Sequence, residues 1–192
     1  KGAGLVRPRL QNRVTGGEAA VVEWGAVAGS ATRSFSPWEF PLRHGRTHRW
    51  SGVVRLTETV RIPAGDTLRV APGTTLRLGP DASIVSRGVV FFEGTRAQPI
   101  EVIPDVPGRP WGCFSTQGPG ADGTSVTWTR FFYGGGALVD GIEYIGMINI
   151  HRTSRASFRH VTFERNVRSD DTFHVLHSEV VLDSSRFIDA NS

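Results

Sequence analysis

The chain has 192 residues, 39% hydrophobic and 21% charged, which is ordinary for a folded globular protein and far from the disordered class. No apolar run approaches the ~18 residues of a membrane-spanning helix, and the single cysteine, Cys113, excludes an internal disulfide framework or a multi-cysteine metal site. The net charge of +4 is uneven, with 12 basic against 5 acidic residues in 1–80 and 10 against 13 in 81–192; basic and aromatic residues form no stripe of the kind that binds nucleic acid.

Residues 1–49 carry no repeat and read as an irregular N-terminal segment, a cap or the tail of an upstream domain. Within them, Val21 to Ala28 is an apolar stretch of strand type. Ser30 to Arg49 is an aromatic-bearing connection in which Trp38 and Phe40, with Trp50 just beyond, are placed to cover the open first coil of a solenoid. Lys1 in place of Met, no leader pattern and a stop directly after a strand read as an internal piece of a longer protein, truncated at the C-terminal end.

From Trp50 the texture changes. Residues 61–78, RIPAGDTLRVAPGTTLRL, hold two copies of a short phrase, each a Pro/Gly corner followed by a strand of three or four residues. Gly65 and Gly73 supply the positive φ such corners require. The strands are too short to stand alone and make sense only if each lies in register on the strand of the next coil.

Further on a period appears. Phe158 and Phe163 recur 24 residues later as Leu182 and Phe187, and Ser154 as Ser178, while Val126 and Phe131 precede the first pair by 32. The longer step needs an insertion, for which Gly134 to Gly146 leaves room; Gly134–Gly136 reads as a flexible loop between coils. Short strands repeating every 20–30 residues without helical periodicity predict a stacked β-solenoid, here a right-handed parallel β-helix of about six coils over residues 50–192. In such a fold Phe131, Phe163 and Phe187 form an interior aromatic ladder, and Asn166 and Asn191 satisfy corner backbone groups, with neighbouring amides bonding along the stack. Cys113 reads as a half-buried small hydrophobe beside Trp111.

The phrases VRIPAGDTLRVAPGTTLRL, SIVSRGVVFFEGTRAQPIEVI and PWGCF together resemble the opening coils of bacterial pectin-lyase-like β-helices. They are more loosely similar to β-helix modules beside spore-coat kinase-like (CotH) domains in large exported bacterial proteins. The resemblance implies a secreted or cell-surface bacterial protein, a contact with polysaccharide, and further coils or domains of a parent protein as partners. It implies a fold rather than an activity, and the leading expectation is a non-catalytic scaffold or carbohydrate-contacting module.

The alternative is a polysaccharide lyase or glycoside hydrolase. Its residues come from NVRSDDTFH, 166–174, where Asp170 and Asp171 are adjacent carboxylates and His174 follows, resembling the paired aspartates and histidine of polygalacturonase-type hydrolases. The other three motifs of that family, Asn-Thr-Asp, Gly-His-Gly and Arg-Ile-Lys, do not occur. Lyase chemistry would add calcium, with oxygens from Asp140, Glu143, Asp170, Asp171 and Asp183 and a base among Arg152, Arg155 and Arg159, but no spacing selects a ligand set. No resident cofactor is called for. His151, His160, His174 and His177 read as solvated or corner residues rather than zinc ligands, and on a strand His174 and His177 would face opposite ways.

Overall fold

The computed structural model describes residues 45–189. Val21–Ala28, Trp38, Phe40 and Asn191 therefore lie outside the described residues.

The described chain winds through six coils. The first is β1 (Thr47–Trp50), β2 (Val53–Leu56) and β3 (Val60–Ile62); the second is β4 (Thr67–Val70), β5 (Thr75–Leu78) and β6 (Ile84–Ser86). The third is β7 (Val89–Glu93), β8 (Ile100–Pro104) and β9 (Phe114–Gln117). The fourth, β10 (Thr124–Thr127), β11 (Thr129–Phe132) and β14 (Gly146–His151), carries an inserted hairpin, β12 (Ala137–Val139) and β13 (Ile142–Tyr144). The fifth is β15 (Ala156–Arg159), β16 (Thr162–Glu164) and β17 (Asp171–Leu176), and the last described is β18 (Val180–Asp183) and β19 (Arg186–Ile188).

Each coil gives one strand to each of three sheets, in the orders β1-β4-β7-β10-β15-β18, β2-β5-β8-β11-β16-β19 and β3-β6-β9-β14-β17. Every pairing between coils is parallel and in register. This is an all-β parallel β-helix. The two copies of the Pro/Gly phrase end in β4 and β5, consecutive sides of one coil, and each pairs with its counterparts in the coils before and after. Among the described residues the first strand begins at Thr47, and Trp50 is its last residue, packed on the core beside Val70, rather than a lid over it. Among the described residues no helix is long and apolar enough to cross a membrane.

Alternation explains the core. Leu68, Val70, Leu76, Leu78, Val90, Phe92, Val102, Val126, Phe131, Phe158 and Phe163 are almost completely buried, while their strand neighbours face outward. The expected ladder is present: Phe131 stacks on Phe163 at 5.8 Å and 9°, and Phe163 on Phe187 at 4.9 Å and 28°. Asn166 is buried and closes its own corner, donating to the Ser169 carbonyl (2.8 Å) and accepting from the Ser169 hydroxyl (2.7 Å), while the Asn191 expected beside it lies outside the described residues.

Three positions differ from the sequence reading. The glycines at 134–136 are not a loose loop. Gly134 bridges to Trp111, and a Cβ there would lie 2.6 Å from the Trp111 ring and 2.8 Å from Met147 Cγ. The insertion is instead the hairpin, turned at Asp140 (φ 52) and Gly141 (φ 76), which is the left-handed pair of a two-residue hairpin turn. Cys113 is wholly buried, on the outer face of the third sheet under that hairpin, in a small cluster with Val85, Val139 and Tyr144 separate from the main core. Burial pushes its thiol pKa up to about 12.

At the last described coil, strands β18 and β19 have no partner beyond them among the described residues, and Leu182 and Phe187 are nearly half exposed at positions that are fully buried one coil earlier. Residues 1–192 produced by themselves are expected to self-associate through this edge, and monodisperse monomers in concentrated light scattering would contradict that. Phe131→Ala, which empties the middle of the ladder, is expected to lower the unfolding free energy by about 3–5 kcal/mol, and Gly134→Ala by about 1–3 kcal/mol through overpacking against Trp111; chemical denaturation measures both.

Candidate functional site

The corners decide where side chains gather. In the fourth to sixth coils the chain turns on residues with a side chain held at positive φ: Trp128 (43°), His160 (55°) and Ser184 (50°) between the first and second sheets, Tyr133 (62°), Arg165 (55°) and Asp189 (46°) between the second and third. For such residues this conformation costs about 1–2 kcal/mol, and it aims each side chain away from the coil. Because corners stack as strands do, these side chains form outward columns. Trp128 and His160 stack at 4.2 Å with planes 19° apart, and the Arg165 guanidinium lies 5.5 Å from the centre of the Tyr133 ring. The rung before Trp128 is Gly94, where a Cβ would lie 2.4 Å from the Trp128 carbonyl oxygen, so only glycine fits beneath the tryptophan.

Around the Trp128–His160 pair is a surface cleft of about 490 Å³, lined also by Arg96, Arg130, Thr162, Ser184 and Arg186. Arg130 is tied to Glu164 (2.8 Å) and lies near Glu101 (3.8 Å), and the Glu164 bond raises its already high pKa. Arg96 and Arg186 have no acidic partner among the described residues. The ring stack ends at Gly94 on one side and Ser184 on the other, so neither outer ring face is continued by another ring. An aromatic pair with Trp128 half-buried and His160 exposed, flanked by guanidinium groups, is suited to a flat, partly apolar ligand that carries acceptors or negative charge.

The candidate catalytic residues are only partly brought together. Asp171, the first residue of β17, accepts a hydrogen bond at Oδ2 from His174 Nδ1 at 2.9 Å, which puts the histidine proton on Nδ1. Three apart in a regular strand they would diverge; here the bond forms where the Asn166–Ser169 corner feeds into the strand, with the Ser169 hydroxyl donating to the Asp171 carbonyl (3.1 Å). Asp170 stays out of this pair. It is exposed and lines a separate cleft of about 580 Å³ with Glu143, Tyr144, Arg168 and the start of the hairpin. The two aspartates thus do not form a convergent carboxylate pair.

Coil stacking brings His151 and His174 together edge to face at 5.3 Å. His160 sits in the corner column instead. His177 turns a corner at φ 49 beyond the end of β17, so strand alternation does not govern its direction. Among the described residues no three His, Cys, Asp or Glu side chains gather as they would around a metal ion. Of the carboxylates considered for calcium, Asp140 is bound by two Arg61 nitrogens at 2.8 Å each, which holds its carboxyl below the usual range.

Sequence reading missed the layer beneath the hairpin. The Tyr144 hydroxyl donates to Gln117 Oε1 (3.2 Å), its ring stacks on His151 at 5.6 Å and 16°, and burial raises its pKa. Ser115 lies beside it on the outer face of the third sheet. The signal was present in Asp140-Gly141 between Val139 and Ile142, a two-residue hairpin turn. The corner column was legible too, since Trp128 and His160 are 32 residues apart, the step already visible from Phe131 to Phe163.

Without the side chain that Arg165 overlies, Tyr133→Ala is expected to lower stability by about 0.5–2 kcal/mol; removing both residues should cost less than the sum of the single changes, as denaturant midpoints of the double-mutant cycle will report. Comparison with known protein families, with curated proteins and with solved structures gives no match, so the reading of the site rests on its own geometry.

Proposed function

We propose that this chain is a non-catalytic β-helix module of a larger secreted or surface-exposed bacterial protein, of pectin-lyase-like type, which contacts an acidic polysaccharide along the corner column between its first and second sheets. The observation that carries this reading is the Trp128–His160 stack set between Arg96, Arg130 and Arg186. A sugar ring offers an apolar C–H face to an aromatic platform, and a uronate carboxylate accepts paired N–H bonds from a guanidinium. Rungs rise by about 4.7–4.9 Å, so the column from Trp128 to Ser184 spans two such steps and accommodates a short stretch of a linear chain. The in-register coils hold these groups on a rigid frame, which limits the ordering cost of binding.

Affinity electrophoresis against polygalacturonate and against a neutral polysaccharide tests this. Retardation by the acidic polymer is expected, weakened by salt, with Trp128→Ala and Arg186→Ala each reducing affinity about tenfold, equivalent to 1.4 kcal/mol. Equal retardation by the neutral polymer, or indifference to both substitutions, would sink the proposal.

A hydrolase or lyase reading draws support from the Asp171–His174 bond, which resembles a carboxylate orienting a general base, and from Asp170 in the neighbouring cleft. In that case new reducing ends or unsaturated products appear with a polysaccharide panel, with or without calcium, and disappear in Asp171→Asn and Asp170→Asn. No products from folded wild-type protein would dismiss it.

A further inference from the structure

The hairpin is held by little. Outside its own two strands it contributes nothing to the parallel ladders. The Arg61–Asp140 pair at its tip is solvent-exposed, with more than half of each side chain accessible, and such pairs are weak. Its other contacts are the Tyr144–Gln117 hydrogen bond, the Tyr144–His151 ring stack and the small apolar cluster of Ala137, Val139, Ile142 and Tyr144 with Val85 and Cys113.

Beneath it the polar accounting does not close. His151 is only 8% exposed, and its Nε2 meets no partner; the buried Ser115 Oγ, also on the covered face, meets no well-formed one. A buried unpaired polar atom costs about 1–3 kcal/mol, and a buried unpaired charge costs much more. The groups facing the His151 ring offer no counter-ion. From β13 comes the Tyr144 phenol, from β17 His174, whose Nδ1 engages Asp171, and from β9 the uncharged Ser115 and Gln117. Next along the chain, Arg152 is exposed and would add repulsion.

We propose that the β12–β13 hairpin is an acid-released flap, which lifts from the third sheet when His151 takes up a proton and so uncovers Ser115, Gln117 and Cys113 while the coils stay wound. Burial, and then the neighbouring His174, hold His151 below its ordinary value of 6.5. The closed state therefore binds fewer protons than the open one between that depressed pKa and 6.5. Its advantage is present in full above 6.5 and is lost as the pH falls through this window. Hydration of the imidazolium in the open state offsets the few contacts given up, and the freed hairpin is too small to be stable alone. The flap rests on contacts separate from the corner column, so it stands whether or not that column binds polysaccharide.

Cys113, the only cysteine, lies under the flap and reports its opening. Its labelling by 4,4′-dithiodipyridine, which reacts with thiols in acid, is measured at about pH 7.5 and about pH 5.5, each rate normalised to the unfolded chain at the same pH. The normalised rate is expected to rise several-fold on acidification, up to the roughly tenfold limit that an open-state value of 6.5 sets over this pH range, while far-ultraviolet circular dichroism is unchanged. His151→Phe, which keeps a stacked ring without a basic nitrogen, should stay protected at both pH values, and His174→Gln should keep the response. Unchanged protection in the wild type, an equal rise in His151→Phe, loss of the response in His174→Gln, or loss of the dichroism together with protection would each overturn the proposal.

Discussion

Strand-to-strand hydrogen bonding between successive coils is the constraint from which the rest follows. A strand of three to six residues is too short to be stable by itself, and one coil buries nearly nothing alone. When Val54 pairs with Leu76, Leu76 with Val102, Val102 with Phe131, Phe131 with Phe163 and Phe163 with Phe187, each inward side chain gains an apolar neighbour above and below. Burying one such side chain contributes about 1.5–3 kcal/mol, and the stack repeats this rung by rung. The same logic makes the two described ends different from the middle, since Val54 and Phe187 each lack one neighbour.

The register that builds the core also organises the surface, and here energetics and function meet. A corner that turns on a left-handed residue stores strain, and stacking that residue on its counterpart one coil away returns part of it. Trp128 on His160 and Arg165 over Tyr133 are the two clearest cases. An aromatic pair fixed in this way has already lost most of its freedom, so a ligand packing against it gives up less entropy than it would with a mobile ring. The arginines beside it come from β11, from β19 and from the connection before β8, three coils that only the winding makes adjacent.

On the third sheet the surface is closed rather than presented. The hairpin of the fourth coil lies over small and polar outward residues and leaves His151 buried and without a partner on Nε2. A parallel ladder is cooperative across coils, whereas a two-stranded hairpin resting on one face is not. This difference in cohesion makes the hairpin the element that can move on its own.

Much of this was legible in the residues themselves. Alternation within TLRV and TLRL, Pro/Gly corners, and the steps of 24 and 32 residues fix the fold class, the Phe131–Phe163–Phe187 ladder and the Trp128–His160 pairing, because strand periodicity and corner chemistry are local properties. Which outward groups share a face is not local. The register offset ranges from 20 residues, Thr47 to Thr67, to 34, Phe91 to Ser125, and loop lengths set it. Tertiary structure alone therefore decided that Asp171 rather than Asp170 meets His174, that His151 and His174 adjoin, and that Cys113 lies outside the main core beneath a hairpin. Inward positions repeat along the sequence, whereas lateral neighbours depend on how much chain each coil spends between its strands.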